Sequence, residues 1–322
     1  MNTTASAPIQ LIDLHPETDT FFDEVIDGLR QVQKRIPPKF FYDARGSRLF
    51  DRITELPEYY LTPTEMSIMR RAIDEMVARI GPHCLLVEYG SGSSLKTRIL
   101  LDHLPEPAGY VPIDISKEHL LRSAEALAEA YPGLPIRPIC ADYTTAFRLP
   151  HLDDERPVVY FPGSTIGNFE SNASLAFLRR VAGIVGPGGG LLIGVDLQKD
   201  PCVIEAAYND AEGVTAAFNK NVLARINREL GGTFDLNCFK HRAFYDAEHG
   251  RIEMHLVSLA DQCVRVGELQ IPFRYGETIL TEYSHKYSLD SFARLAASAG
   301  FAVEQVWMDE ARLFSVQYLV AR

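Results

Sequence analysis

The sequence predicts an α/β fold built on a doubly wound, mostly parallel sheet, and three observations predict it. Apolar strand-like runs at 83–89, 109–114, 136–141, 157–161 and 191–196 alternate with helix-like runs at 94–104, 116–130 and 170–185. Alternation of this kind covers a parallel sheet with helices on both faces. The first run, Cys84-Leu85-Leu86-Val87, leads through Glu88 and Tyr89 into the turn Gly90-Ser91-Gly92-Ser93 and a helical segment from Leu95. Its two glycines allow a sharp turn and a close backbone approach to a ligand. Such turns sit where doubly wound sheets receive nucleotide-like molecules. Finally, a helix at 289–298 precedes two closing strands at 302–308 and 314–320, which predict a terminal antiparallel hairpin.

The elements before the sheet follow in order. Phe21, Phe22, Val25, Ile26 and Leu29 recur at helical spacing, and Pro37-Pro38 stops the helix. An aromatic segment, Phe40-Phe41-Tyr42-Asp43, leads to a helix expected at 47–56 and a proline-bounded loop holding Tyr59 and Tyr60. A helix over 62–80 is expected next, with Thr62 as its cap and Pro63 at the first helical position. After Asp196 the rhythm breaks. Helices at 200–210 and 215–229, then strand-like runs near 251–260 and 263–274, read as an insertion with its own small sheet. The expected division is a sheet domain over 62–198 and 287–322, and a second α+β substrate-binding domain over 8–61 and 199–286.

Composition narrows the function. A chain of 322 residues can bury one large core or two moderate ones. Its formal net charge of −11 argues against nucleic-acid and anionic-membrane surfaces, both of which need basic footprints. The five cysteines are scattered, with no CxxC pair, so neither a zinc site nor a disulfide framework is expected. The nine histidines show no ligand spacing, and no metal is expected. No signal-peptide pattern or membrane-length apolar run is visible, and the expected location is the cytoplasm. A monomer acting on a small molecule is the expected state.

The strand ends carry the chemistry. Leu95 replaces the third glycine of the dinucleotide pattern, which disfavours a pyrophosphate, and Glu88 before the turn suits a cationic ligand. S-adenosylmethionine (SAM), with its sulfonium and ammonium groups, is such a ligand. Asp114 ends the second strand, placed either to accept from ribose hydroxyls or to cap the next helix. Asp142 and Tyr143 end the third strand, where an adenine ring or plain solvent would meet them. Lys96 lies early in a helix, where anions are favoured; it either holds a carboxylate or is simply exposed. Asn168, after the fourth strand, either binds an amino acid's polar groups or caps the following helix.

With these residues in view, the closing hairpin resembles that of Rossmann-like class I SAM-dependent methyltransferases. More closely, the chain resembles the histidine Nα-methyltransferases that form hercynine in ergothioneine biosynthesis. The resemblance rests on Pro38-Lys39-Phe40-Phe41-Tyr42-Asp43, Leu56-Pro57-Glu58-Tyr59-Tyr60, Glu88-Tyr89-Gly90-Ser91-Gly92-Ser93 and Phe161-Pro162-Gly163-Ser164-Thr165-Ile166-Gly167-Asn168-Phe169. It extends to the segment from Asn221 to Leu230 and to Leu280-Thr281-Glu282-Tyr283-Ser284. It implies SAM contacts at Gly90, Lys96, Asp114, Asp142 and Tyr143. It implies that Asn168 and Tyr208 hold the substrate's amine and carboxylate, with the backbone near Gly163 beside them and Tyr42 near the amine. Tyr59, Glu282 and Ser284 then recognise the imidazole, with Met254 packing beside the ring. The alternatives are a methyltransferase for another amino acid, or a SAM-binding module without catalysis.

Overall fold

The computed structural model describes residues 9–14, 20–92, 94–145 and 156–322. In chain order they begin with β1 (Ile12–Asp13), α1 (Phe21–Leu29), β2 (Lys34–Arg35), α2 (Ala44–Ile53) and α3 (Leu61–Ile80). Next come β3 (Cys84–Tyr89), α4 (Leu95–Leu101), β4 (Gly109–Asp114), α5 (Lys117–Ala130), β5 (Ile139–Cys140) and β6 (Arg156–Phe161). Then follow α6 (Ser171–Val185), β7 (Gly190–Asp196), α7 (Pro201–Tyr208), α8 (Val214–Leu230), β8 (Phe239–Asp246) and β9 (Arg251–Ser258). The chain ends with β10 (Gln262–Val266), β11 (Leu269–Phe273), β12 (Thr278–His285), α9 (Leu289–Ser298), β13 (Phe301–Met308) and β14 (Phe314–Ala321).

These elements form two compact units, one of Met1–Pro16, Leu61–Leu197 and Tyr287–Arg322, the other of Glu17–Tyr60 and Gln198–Lys286. The first holds an eight-stranded sheet of order β1-β5-β4-β3-β6-β7-β14-β13. Its first six strands are mutually parallel, and β14 runs antiparallel to both β7 and β13. The chain order reverses between β3 and β6, and ligands of open α/β sheets bind at such a switch point. The central strands are apolar over most of their length, as expected of strands covered on both faces, with acids confined to their C-terminal ends. Phe177, Leu178 and Val181 of α6 and Phe292 and Ala296 of α9 are fully buried against them. Each of these except Ala296 contributes about 1.5–3 kcal/mol by its burial.

The second unit holds a four-stranded sheet of order β2-β12-β9-β8 and a separate β10-β11 hairpin. Two sequence motifs turn out to be its scaffold. Asp43 caps α2 by accepting from the Gly46 N–H at 2.7 Å, and also accepts from Asn221 at 2.8 Å and Arg228 at 2.7 Å, both on α8. Burial alone would raise its pKa, but these bonds hold it below the usual carboxylate value. The Arg225 guanidinium stacks over Phe21 at 4.7 Å and donates to the Phe40 carbonyl.

Several local expectations are corrected. α2 begins at Ala44 instead of residue 47, because Asp43 supplies the cap. α3 begins at Leu61, so Thr62 lies inside the first turn and is not its cap. The run at 136–141 forms a strand only over Ile139–Cys140, with an isolated bridge from Ile136 to Tyr110, since Pro138 interrupts it. β8 and β12 lie outside the strand-like runs expected from the sequence, because their charged and aromatic residues break simple alternation. No helix among the described residues is long and apolar enough to cross a membrane.

Candidate active site

In the first unit the glycine turn is tied to the second strand. The Gly90 N–H donates to the Ile113 carbonyl at 2.8 Å, and the Gly92 N–H to Asp114 Oδ2 at 3.2 Å. Gly90 has φ +70°, a backbone conformation few other residues adopt without strain. A Cβ there would stand 3.6 Å from the Tyr143 hydroxyl oxygen. Asp114 Oδ1 accepts from the Ser116 N–H, and Ser116 is the cap residue of α5, so Asp114 does not cap that helix. Burial raises its pKa against bonds from Ser116 and Gly92. Asp142 is buried and accepts from both the Thr144 N–H and its hydroxyl. Tyr143 leans edge-on against Tyr89, Phe161, Phe169 and Phe177, an aromatic bed at the strand ends. The buried Ser91 hydroxyl has no hydrogen-bond partner among the described residues. An orphaned hydroxyl in a glycine-lined turn fits a bound ligand rich in polar atoms, as SAM is.

Lys96 is not an exposed lysine. Its ammonium lies 2.5 Å from Glu65 Oε2, and Glu65 is fully buried in α3. Both Glu65 oxygens also accept from the Gly163 N–H, at 3.0 and 3.1 Å. Gly163 has φ +75°, and a Cβ on it would stand 3.3 Å from the lysine nitrogen. Glu65 thus fixes the turn after β6 and the lysine together. Asn168 closes the 3-10 turn Thr165–Asn168; the next helix is capped at Glu170, so Asn168 does not cap it.

Glu88 requires a correction. Its carboxylate is 1% exposed and accepts from the Thr97 and Tyr110 hydroxyls, each at 2.5 Å. Burial pushes its pKa up to about 8, against those bonds, so at neutral pH it is mostly protonated and offers little charge to a cationic ligand. Its folded pKa lies above the unfolded value, so its contribution to stability is complete below about pH 4.5 and is lost as pH rises through about 8. Glu88→Gln keeps the acceptor and removes the titration. Melting curves at about pH 5 and about pH 9 are expected to show the variant gaining on the wild type at the higher pH. A constant gap would remove this account.

In the second unit a bulge in β12, between Leu280 and Glu282, aims the candidate side chains. Ile279 before it and Thr281 within it are buried; after it the buried residues are Glu282, Ser284 and Lys286. Glu282 is therefore 8% exposed rather than a surface strand residue. Burial pushes its pKa up to about 7, opposed by Lys286. Met254 of β9 is its cross-strand partner. The Lys286 ammonium joins Ser284 Oγ at 3.1 Å to Tyr208 Oη at 3.2 Å. Behind them, buried Asn219 donates to His241 Nδ1 at 2.8 Å and accepts from Thr281, while His241 Nε2 donates to the Tyr208 carbonyl at 2.9 Å. The assigned tautomer is neutral, and burial lowers the His241 pKa in keeping with it. Tyr59 is buried against Phe50, and Tyr42 packs on Phe50 and Phe218.

Sequence reading missed Glu65, Lys286 and His241. Glu65 carried no usable signal, since its partners lie far along the chain. Lys286 carried one: after Glu282 and Ser284, the two-residue period of a strand puts it on the same face.

The sheet order, terminal hairpin and glycine turn define a Rossmann-like class I SAM-dependent methyltransferase. The chain matches the family described as histidine-specific SAM-dependent methyltransferases over residues 21–321, and it belongs to that family. It is 42% identical to the histidine N-alpha-methyltransferase of Mycolicibacterium smegmatis, over 92% of this chain and 94% of that one. It is 41% identical to the histidine N-alpha-methyltransferase of Mycobacterium tuberculosis, over 91% and 92%. Ergothioneine biosynthesis protein 1 of Neurospora crassa is 32% identical over 87% of this chain, which spans 32% of that longer protein.

Proposed function

We propose that this chain transfers three methyl groups from SAM to the α-amine of L-histidine, forming hercynine in ergothioneine biosynthesis. The observation that carries this reading is the 42% identity to a histidine N-alpha-methyltransferase over nearly the full length of both chains. The buried Glu282 and Ser284 support the choice of ring. A neutral imidazole has one N–H and one bare nitrogen, and a carboxylate beside a hydroxyl meets both. A buried carboxylate facing an apolar ring would be costly.

When bound, SAM supplies an electrophilic methyl group on its sulfonium. Gly90 and Gly92 let the backbone approach the ligand, and Asp114 accepts from the ribose hydroxyls. Asp142 accepts from the adenine amine, Tyr143 lies beside the ring, and Lys96, held by Glu65, takes the methionyl carboxylate. Asn168 and the Gly163 backbone orient the substrate amine, and Tyr208 its carboxylate. Tyr59 and Met254 complete the imidazole's surroundings. An α-amine is largely protonated near neutral pH, so the reaction must remove a proton; we assign its reception to water beside Tyr42. Holding the amine in line with the methyl carbon supplies much of the rate.

Asp114→Ala is expected to weaken binding of the product S-adenosylhomocysteine about tenfold, read by calorimetry. Unchanged affinity would remove the ribose role.

A further inference from the structure

Lys286 has no part in the roles assigned above, yet it is 3% exposed and its ammonium touches two of the residues given to the substrate. It donates to Tyr208 Oη and to Ser284 Oγ, and lies 5.1 Å from the centre of the Tyr208 ring. An ammonium has three donors and no acceptor. Neither hydroxyl can therefore donate to it, and each commits a lone pair to the lysine while its own proton points elsewhere. Glu282, two residues before Ser284 on the same buried face, accepts hydrogen bonds when ionised.

We propose that Lys286 is a positioning residue that sets hydrogen-bond polarity around the amino acid, turning Tyr208 and Ser284 into donors beside the acceptor Glu282. The proposal rests on the histidine reading and deepens it. Glu282 takes the ring N–H, Ser284 donates to the bare ring nitrogen, and Tyr208 donates to the α-carboxylate. A ring lacking an acceptor nitrogen leaves Ser284 without a partner, which makes Lys286 a determinant of ring choice acting at one remove. Among the titratable groups facing Lys286 are Glu282 from β12, which ends just before it, Tyr208 from α7 and Tyr245 from β8. Lys286 holds the Glu282 pKa down against burial, so removing it extends the protonated form of Glu282 to higher pH.

The test is steady-state kinetics of Lys286→Met and Lys286→Arg across a pH series, with calorimetric binding of S-adenosylhomocysteine. Lys286→Met is expected to raise KM for histidine about tenfold with kcat changed less than about threefold. Its acid limb of kcat/KM for histidine moves to higher pH, S-adenosylhomocysteine affinity stays unchanged, and Lys286→Arg recovers most of the loss. An unchanged KM and acid limb in folded Lys286→Met overturns the proposal. So does a parallel fall of kcat, of kcat/KM for histidine and of S-adenosylhomocysteine affinity, which marks a purely structural lysine. If Lys286→Met does not fold, the wild-type enzyme is given the two pyrrole analogues of histidine, each with one ring nitrogen replaced by C–H. Weaker use of both supports donation by Ser284, and use equal to histidine overturns it. A wild-type enzyme that leaves histidine unmethylated overturns the histidine reading itself, an outcome distinct from unaltered kinetics in Lys286→Met.

Discussion

Replacing Glu282 with alanine is expected to raise the KM for histidine about a hundredfold while leaving S-adenosylhomocysteine affinity unchanged. The effect is large because Glu282 is a buried charge-bearing acceptor, and hydrogen bonds to charged groups are the stronger kind. The bulge in β12 turns it inward, and Met254 opposite leaves it an apolar neighbour across the strand pair. The sign of its pH dependence follows. With its pKa pushed up to about 7, Glu282 is largely protonated in acid. An N–H donor from the ligand favours the carboxylate, so binding lowers that pKa and apparent affinity rises as pH climbs towards about 7. Glu282→Gln should lose that limb. Wild-type KM values in Glu282→Ala would remove it from imidazole recognition.

Lys96→Met is expected to destabilise the protein by about 3 kcal/mol, because it leaves Glu65 as a fully buried, uncompensated carboxylate. The double variant Lys96→Met with Glu65→Gln is expected to recover most of that loss, since an amide oxygen can still accept from Gly163. SAM binding should stay weak in both, because the cation proposed for the methionyl carboxylate is gone from both. Denaturant unfolding and ligand calorimetry separate the two effects. Additive stability losses in the double variant would contradict the coupling.

Much of the first unit is legible in the sequence, because its signals are local. The glycine turn, Asp114 and Asp142 each sit at the end of an apolar run, and the terminal hairpin follows a helix with a Ser288 capping box. The structure closes several bland readings: Lys96 is paired, Asn168 and Asp114 are not helix caps, and Asp142 is not a solvated acid. Glu88 went the other way. Its place before the turn looked like charge for a ligand, but a strand position does not reveal that Thr97 and Tyr110 close over it.

The second unit was harder to read, because what organises it is non-local. Asp43 meets Asn221 and Arg228, and His241 meets Tyr208, across separations that no spacing rule spans. A bulge shifts burial from odd to even residues, so alternation read from Ile279 onward misplaces Glu282. Resemblance points to Tyr208, Glu282 and Ser284, and the structure adds Lys286, which joins Tyr208 to Ser284.

Mass spectrometry after incubation with SAM and each common amino acid in turn tests whether histidine is the substrate. Three successive methyl additions to histidine, and none to the others, are expected. Histidine left unmodified, or another amino acid methylated in preference to it, would contradict that reading.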